Sequence, residues 1–137
     1  YFKKHRQRYY DLLQATRDDG DLETWLAFFL QGVIEVSGEA TETAKRILAL
    51  RESNRSAIAD HLGAAAGNAY RVLEHLYNRP IVSVNDVKDL TGTTYPAANN
   101  LVERLTGIGI LEEITGNARN RRFRYSPYVR LFNDEAG

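Results

Sequence analysis

Residues 83–107, SVNDVKDLTGTTYPAANNLVERLTG, decide the fold. Ser83 is a capping residue ahead of Val84, Val87 and Leu90, apolar positions that share one face of a short helix. Gly92 closes that helix, because glycine adopts the left-handed conformation a helix C-terminus favours. Thr93 or Thr94 caps a longer helix with Pro96 in its first turn, where a missing N–H costs nothing. This second helix turns Ala97, Ala98, Leu101, Val102 and Leu105 inward and ends at Gly107. Two short amphipathic helices joined by so tight a turn predict a helix-turn-helix, in which the first helix braces the second.

The flanking residues extend that unit. Ala69, Val72, Leu73, Leu76 and Tyr77 predict a preceding helix that Pro80 stops. Ile110–Ile114 reads as a strand, Thr115-Gly116-Asn117-Ala118 as a turn, and Arg122–Tyr125 as a second strand with Phe123 and Tyr125 alternating. Helix, helix, turn, helix and two-stranded ribbon is the order of a winged helix-turn-helix. Residues 64–132 are its expected extent, with 133–137 as a tail.

The polar face of the longer helix carries Thr93, Thr94, Tyr95, Asn99, Asn100 and Glu103 or Arg104. Asn pairs bidentately with adenine and Arg with guanine, so Asn99, Asn100 and Arg104 are candidate base readers; the same positions also suit a plain solvated face. The wing brings Arg119, Arg121, Arg122 and Arg124 within six positions, beside Asn117 and Asn120. Guanidinium groups on a hairpin bind phosphates or enter a minor groove, and they also keep an exposed sheet edge from aggregating. The whole chain has a formal net charge of +0, so positive charge is local rather than global. The expected partner is double-stranded DNA, although the same fold also serves dimerisation and regulation.

The first 62 residues are helical. Phe2, Tyr9, Leu12, Leu13 and Thr16 mark one face of a helix over residues 1–17, and Asp18-Asp19-Gly20-Asp21 turns the chain. Asp21 starts a helix over 21–36, whose Trp25, Phe28, Phe29 and Val33 belong to an apolar surface covering nearly the whole circumference. A third helical stretch covers 39–62; Gly38 either separates it from the second or is a weak point in one long rod. Gly63–Gly67 is the candidate domain boundary. The chain's own helices are too few to surround helix 21–36, so a homodimer through Trp25, Phe28, Phe29 and Val33 is expected, with the winged helices tethered through Gly63–Gly67.

The 137 residues are 43% hydrophobic and 26% charged, with a mean hydropathy of −0.44, which excludes a low-hydrophobicity disordered chain. The longest apolar run, Trp25–Val36, is twelve residues and includes Gln31 and Glu35, too short to cross a bilayer. Cysteine is absent, which excludes disulfides, thiolate nucleophiles and Cys-ligated zinc. No targeting signal is evident at Tyr1–Arg6, and a cytoplasmic setting is expected. His5, His61 and His75 have no partner at metal-ligand spacing, and no catalytic constellation or cofactor site is found. The lack of Met and the start within a helical pattern lead to the expectation that the chain is the C-terminal piece of something longer.

Two stretches carry a resemblance. Arg6-Gln7-Arg8-Tyr9-Tyr10-Asp11-Leu12-Leu13 has the form R-x-x-Y-Y-x-x-L. Gly20-Asp21-Leu22-Glu23-Thr24-Trp25-Leu26-Ala27-Phe28-Phe29-Leu30-Gln31-Gly32-Val33 has the form G-D-x-x-x-W-x-x-F-F-L-x-x-V. Together they resemble the last helices of Fic-family proteins. The winged helix, with Tyr95-Pro96-Ala97-Ala98-Asn99 and Gly116-Asn117-Ala118-Arg119-Asn120-Arg121, is similar to the C-terminal extension of larger bacterial members. The resemblance implies residues 1–62 as terminal helices of a Fic-type domain and a parent that transfers AMP from ATP, with magnesium, to a protein hydroxyl. The signature of that activity, H-P-F-x-[DE]-G-N-G-R, is absent here, as is the inhibitory pattern [ST]-x-x-x-E-[GN], so no catalytic role passes to any residue. A free-standing dimeric winged-helix transcriptional regulator, or a winged helix used for protein contact, is the alternative. Purified residues 1–137 are expected neither to bind ATP–magnesium tightly nor to label protein with AMP; robust labelling by radioactive ATP would contradict this.

Overall fold

The computed structural model describes residues 1–133. Of the expected tail 133–137, only Asn133 falls among them, and it ends a helix. The fold is mainly helical, a helical segment followed by a winged helix with a small antiparallel sheet. It divides into two compact units, Tyr1–Lys45 and the chain from Arg46 onward.

In the first unit, α1 (Arg6–Asp19) ends at Gly20, whose φ of 73° is the left-handed cap expected there. The Asp21 carboxylate accepts from the Thr24 amide at 3.2 Å and starts α2. α2 runs unbroken from Leu22 to Leu62. Gly38 therefore sits inside a rod, because i to i+4 bonds on both sides hold it helical despite its poor propensity. Gly32 has a different role. A Cβ there would lie 2.5 Å from Tyr1 Cδ1 and 2.7 Å from Phe2 Cζ, so only glycine lets those rings lie on the helix. Phe28, 5% exposed, sits among the rings of Tyr1, Phe2 and Tyr9, and Trp25 stacks on Phe29 at 5.4 Å.

The second unit begins inside α2. Ile58 and Leu62 belong to the same buried cluster as Ala69, Val72, Leu73 and Leu76 of α3 (Ala66–Leu76). The division of the chain therefore lies within α2, not at Gly63–Gly67. Gly63–Ala65 form a 3-10 turn leading directly into α3, which already includes Gly67, so the stretch is not a tether. α4 (Val84–Thr91) and α5 (Tyr95–Gly107) follow, contributing Val84, Val87, Ala98, Leu101, Val102 and Leu105 to the cluster.

The two-stranded wing is present as the last two strands, and a third strand from ahead of α4 joins its sheet. β1 (Ile81–Ser83), β2 (Glu112–Glu113) and β3 (Arg122–Arg124) form an antiparallel sheet in the order β1-β3-β2, with Val82 and Glu113 both opposite Phe123. β1 is too short to show an alternation of its own, and its pairing with β3 depends on the tertiary fold. The last element among the described residues is α6 (Ser126–Asn133), where Tyr128 donates to the Tyr77 carbonyl at 3.3 Å.

Tyr125 is fully buried, and its hydroxyl is held by the Asn54 amide of α2. Burial, reinforced by the neighbouring Tyr77 phenol, pushes the Tyr125 hydroxyl well above the usual tyrosine range. In the unfolded chain this group ionises near its ordinary pKa of 10.0, whereas the fold keeps it protonated. Its contribution to stability is thus complete below that pH and falls as pH rises above it. Denaturation midpoints are expected to drop on the alkaline side in the native chain and to change less steeply in Tyr125→Phe.

Candidate nucleic-acid interface

The helix-turn-helix is built by reciprocal caps. The Asp86 amide donates to Ser83 Oγ at 3.1 Å while the Ser83 amide donates to the Asp86 carboxylate at 2.8 Å. Gly92 closes α4 with φ 64°. Of the two candidate caps of α5, Thr94 is the one used: its hydroxyl accepts from the Ala97 amide at 3.3 Å. The Thr93 hydroxyl is instead 2.8 Å from that of Thr91, inside the turn. Both threonines therefore shape the turn, which leaves Tyr95, Asn99 and Asn100 as the polar groups on the first turns of α5.

These groups divide between two depressions. Tyr95, half exposed, joins Ser83, Val84, Asn85, Asn120, Arg121 and Arg122 around a polar cavity of about 280 Å³. Asn120 makes the approach of the wing possible. Its φ of 53° is left-handed, a conformation asparagine tolerates better than most residues, and it leads directly into Arg121 and Arg122. Asn100 lines a second depression of about 180 Å³ with Ala65, Asn68, Thr93, Ala97, Leu101 and Arg104. Asn85 and Asn120 were not among the sequence candidates; the one available signal was an asparagine in the Arg-rich turn.

The arginines separate by partner. Arg104 is engaged within the chain: its Nη2 donates to the His61 carbonyl at 3.0 Å, satisfying the end of α2. Arg124 pairs with Glu112 at 3.7 Å and donates to Ser126 Oγ at 3.0 Å, so it fastens the sheet to the start of α6. Arg121 lies over the Phe123 ring and donates to Asn99 Oδ1, while Asn99 donates to Glu103 at 3.4 Å. Arg119 and Arg122 are exposed, with no side-chain ion pair or hydrogen bond among the described residues.

The cavity suits an anion. Arg121 and Arg122 line it, and the first turn of α5 carries no acidic residue to cancel the positive end of its dipole, although Asp86 lies in the first turn of α4. The remaining sequence candidates, Trp25, Phe28, Phe29 and Val33, lie in the first unit, where Phe28 is buried within the chain and is not a surface for a partner. Among the described residues, no cluster of His, Asp or Glu side chains is arranged to hold a metal ion, and no helix is long and apolar enough to cross a membrane. Replacing Arg104 by Ala is expected to lower unfolding stability by about 1 kcal/mol in denaturant titrations, while the same change at Arg122 leaves it within error.

No family model matches the chain, and no curated protein matches it either. Among solved structures, the crystal structure of RV1404 from Mycobacterium tuberculosis is similar to it, with 20% sequence identity over 74% of this chain and 71% of that chain and a TM-score of 0.41.

Proposed function

We propose that the chain is a winged-helix regulator whose second unit binds double-stranded DNA. The observation that carries this reading is the convergence of Tyr95, Asn120, Arg121 and Arg122 with the starts of α4 and α5 around one polar cavity. The first turns of α5 enter a major groove, and a backbone phosphate takes the cavity. Arg119 and Arg122 supply phosphate contacts, because neither has a side-chain partner to give up among the described residues. Asn100 and Asn99 read bases, with Asn99 exchanging its contacts to Arg121 and Glu103 for a base edge. With so little net charge, affinity depends on this patch rather than on the field of the whole molecule.

The salt dependence of binding to duplex DNA tests this reading. Replacing Arg119 and Arg122 together by Ala is expected to flatten the log K against log salt slope by about two units, whereas Arg124→Ala leaves the slope unchanged. Asn100→Ala is expected to relax preference at one base pair, by roughly 1–3 kcal/mol. Failure to bind any duplex at low salt would overturn the reading.

A second reading rests on the first unit. Residues of the two stretches that resemble the Fic family meet: Tyr9 and Phe28 lie 6.4 Å apart by ring centroids, and Trp25 stacks on Phe29. On this reading α1 and the start of α2 are terminal helices of a Fic-type domain, and the winged helix regulates a protein AMP transferase. Its ATP and magnesium would be held by residues outside these 137. Finding H-P-F-x-[DE]-G-N-G-R in the reading frame ahead of Tyr1 would support it, and an intact frame without the signature would remove it.

A further inference from the structure

Between Leu22 and Val36, α2 has two apolar faces. One carries Phe28 and Gly32 and is covered by the rings of Tyr1, Phe2 and Tyr9, with Trp25 stacked on Phe29 beside it. The other carries Leu22, Leu26, Leu30, Val33 and Ile34, and nothing covers it among the described residues: Leu30 is 56% and Ile34 65% exposed. At about 100° per residue these five side chains fall in one arc of the helix, turned away from Phe28. Within the arc and along its edge, Leu22, Leu26, Phe29, Val33, Val36 and Ala40 follow alternating spacings of four and three, the repeat by which two helices pack side by side.

We propose that this face binds the same face of a second copy of the chain, the two α2 helices running antiparallel about a two-fold axis level with Gln31. In that register Leu26 meets Val36 of the second copy, Phe29 meets its Val33, and the two Leu30 side chains flank the axis, so every contact is apolar. The exposed portions of the apolar side chains from Leu22 to Val36 amount to an area on the order of 500 Å² per copy, or roughly 1,000 Å² in total, where specific interfaces begin. Charge selects the direction. An antiparallel partner brings Lys45, which has only a 4.0 Å contact to Glu42, to about 6 Å beyond the level of Asp21, within reach of Asp18, Asp19 and Asp21. A parallel partner would set that acidic loop against its own copy, and the two helix dipoles would repel rather than attract. This interface is independent of the DNA reading.

Light-scattering mass is the first measurement: the chain is expected at twice 15.5 kDa, and Leu30→Glu at the single-chain mass with unchanged far-UV circular dichroism. Because the chain has no cysteine, Leu30→Cys and Leu22→Cys each introduce one thiol, and neither substitution adds a charge. A short bismaleimide is expected to link Leu30→Cys copies efficiently and Leu22→Cys copies hardly at all, since the antiparallel register separates the two residues at position 22 by about 27 Å. A native chain that stays at 15.5 kDa, a Leu30→Glu chain that keeps the doubled mass, or equal linking at both positions would each overturn the proposal.

Discussion

Ile58 and Leu62, on the last turns of α2, lose essentially all contact with water inside the cluster formed by α3, α4 and α5. Two polar ties accompany that burial. The Asn54 amide holds the hydroxyl of the buried Tyr125, and the Arg104 guanidinium takes the His61 carbonyl that the end of a helix leaves without a partner. Each large aliphatic side chain withdrawn in this way contributes about 1.5–3 kcal/mol, and an unsatisfied buried hydroxyl at Tyr125 would cost about 1–3 kcal/mol. The winged helix therefore includes α2's final turns as an integral part, and a chain cut at Gly63 would lack one wall of its core.

The same economy governs the charged surface. Four arginines crowd the wing region of the sequence, but their work is divided. Arg124 stabilises the sheet through Glu112 and Ser126, and Arg121 is engaged by Asn99 and Phe123. Among the described residues, Arg119 and Arg122 alone of these four have no side-chain partner, and Arg122 lines the cavity at the helix starts. A ligand phosphate meets these two without displacing any protein contact. A base reaching Asn99 must replace the contacts that asparagine already makes, so recognition there carries an exchange cost that contact with Asn100 avoids.

Along α2, neighbouring apolar residues have opposite fates. Phe28 is enclosed by rings from the N-terminal residues, while Leu30 and Ile34, a few positions on, stay in water. The difference arises from Gly32, the gap on the helix surface that admits Tyr1 and Phe2 to one face only. The other face retains the spacing of a helix-pairing seam.

Local chemistry in the sequence was enough for the helix-turn-helix: Ser83, Gly92, Thr94 and Pro96 act through caps and turns a few residues long, and each was legible where it stands. The resulting winged-helix class and most inward residues of α4 and α5 were legible for the same reason, that helical periodicity reports which side is buried; Ala97, read as inward, is exposed in the first turn of α5. Contacts between residues far apart in the chain were not. β1 has no strong pattern of its own and exists by pairing with Phe123 and its neighbours, whereas α6 opens on Ser126-Pro127 and is amphipathic, a local signal that the sequence does carry. The use of Arg104 and Arg124 inside the fold, the continuity of α2 through Gly38, and the cavity joining Asn85 to Asn120 also required the tertiary structure. Sequence specifies which groups are present and which local turns they favour; only the folded chain decides which distant carbonyl or carboxylate an arginine finds, and so which charges remain for a partner.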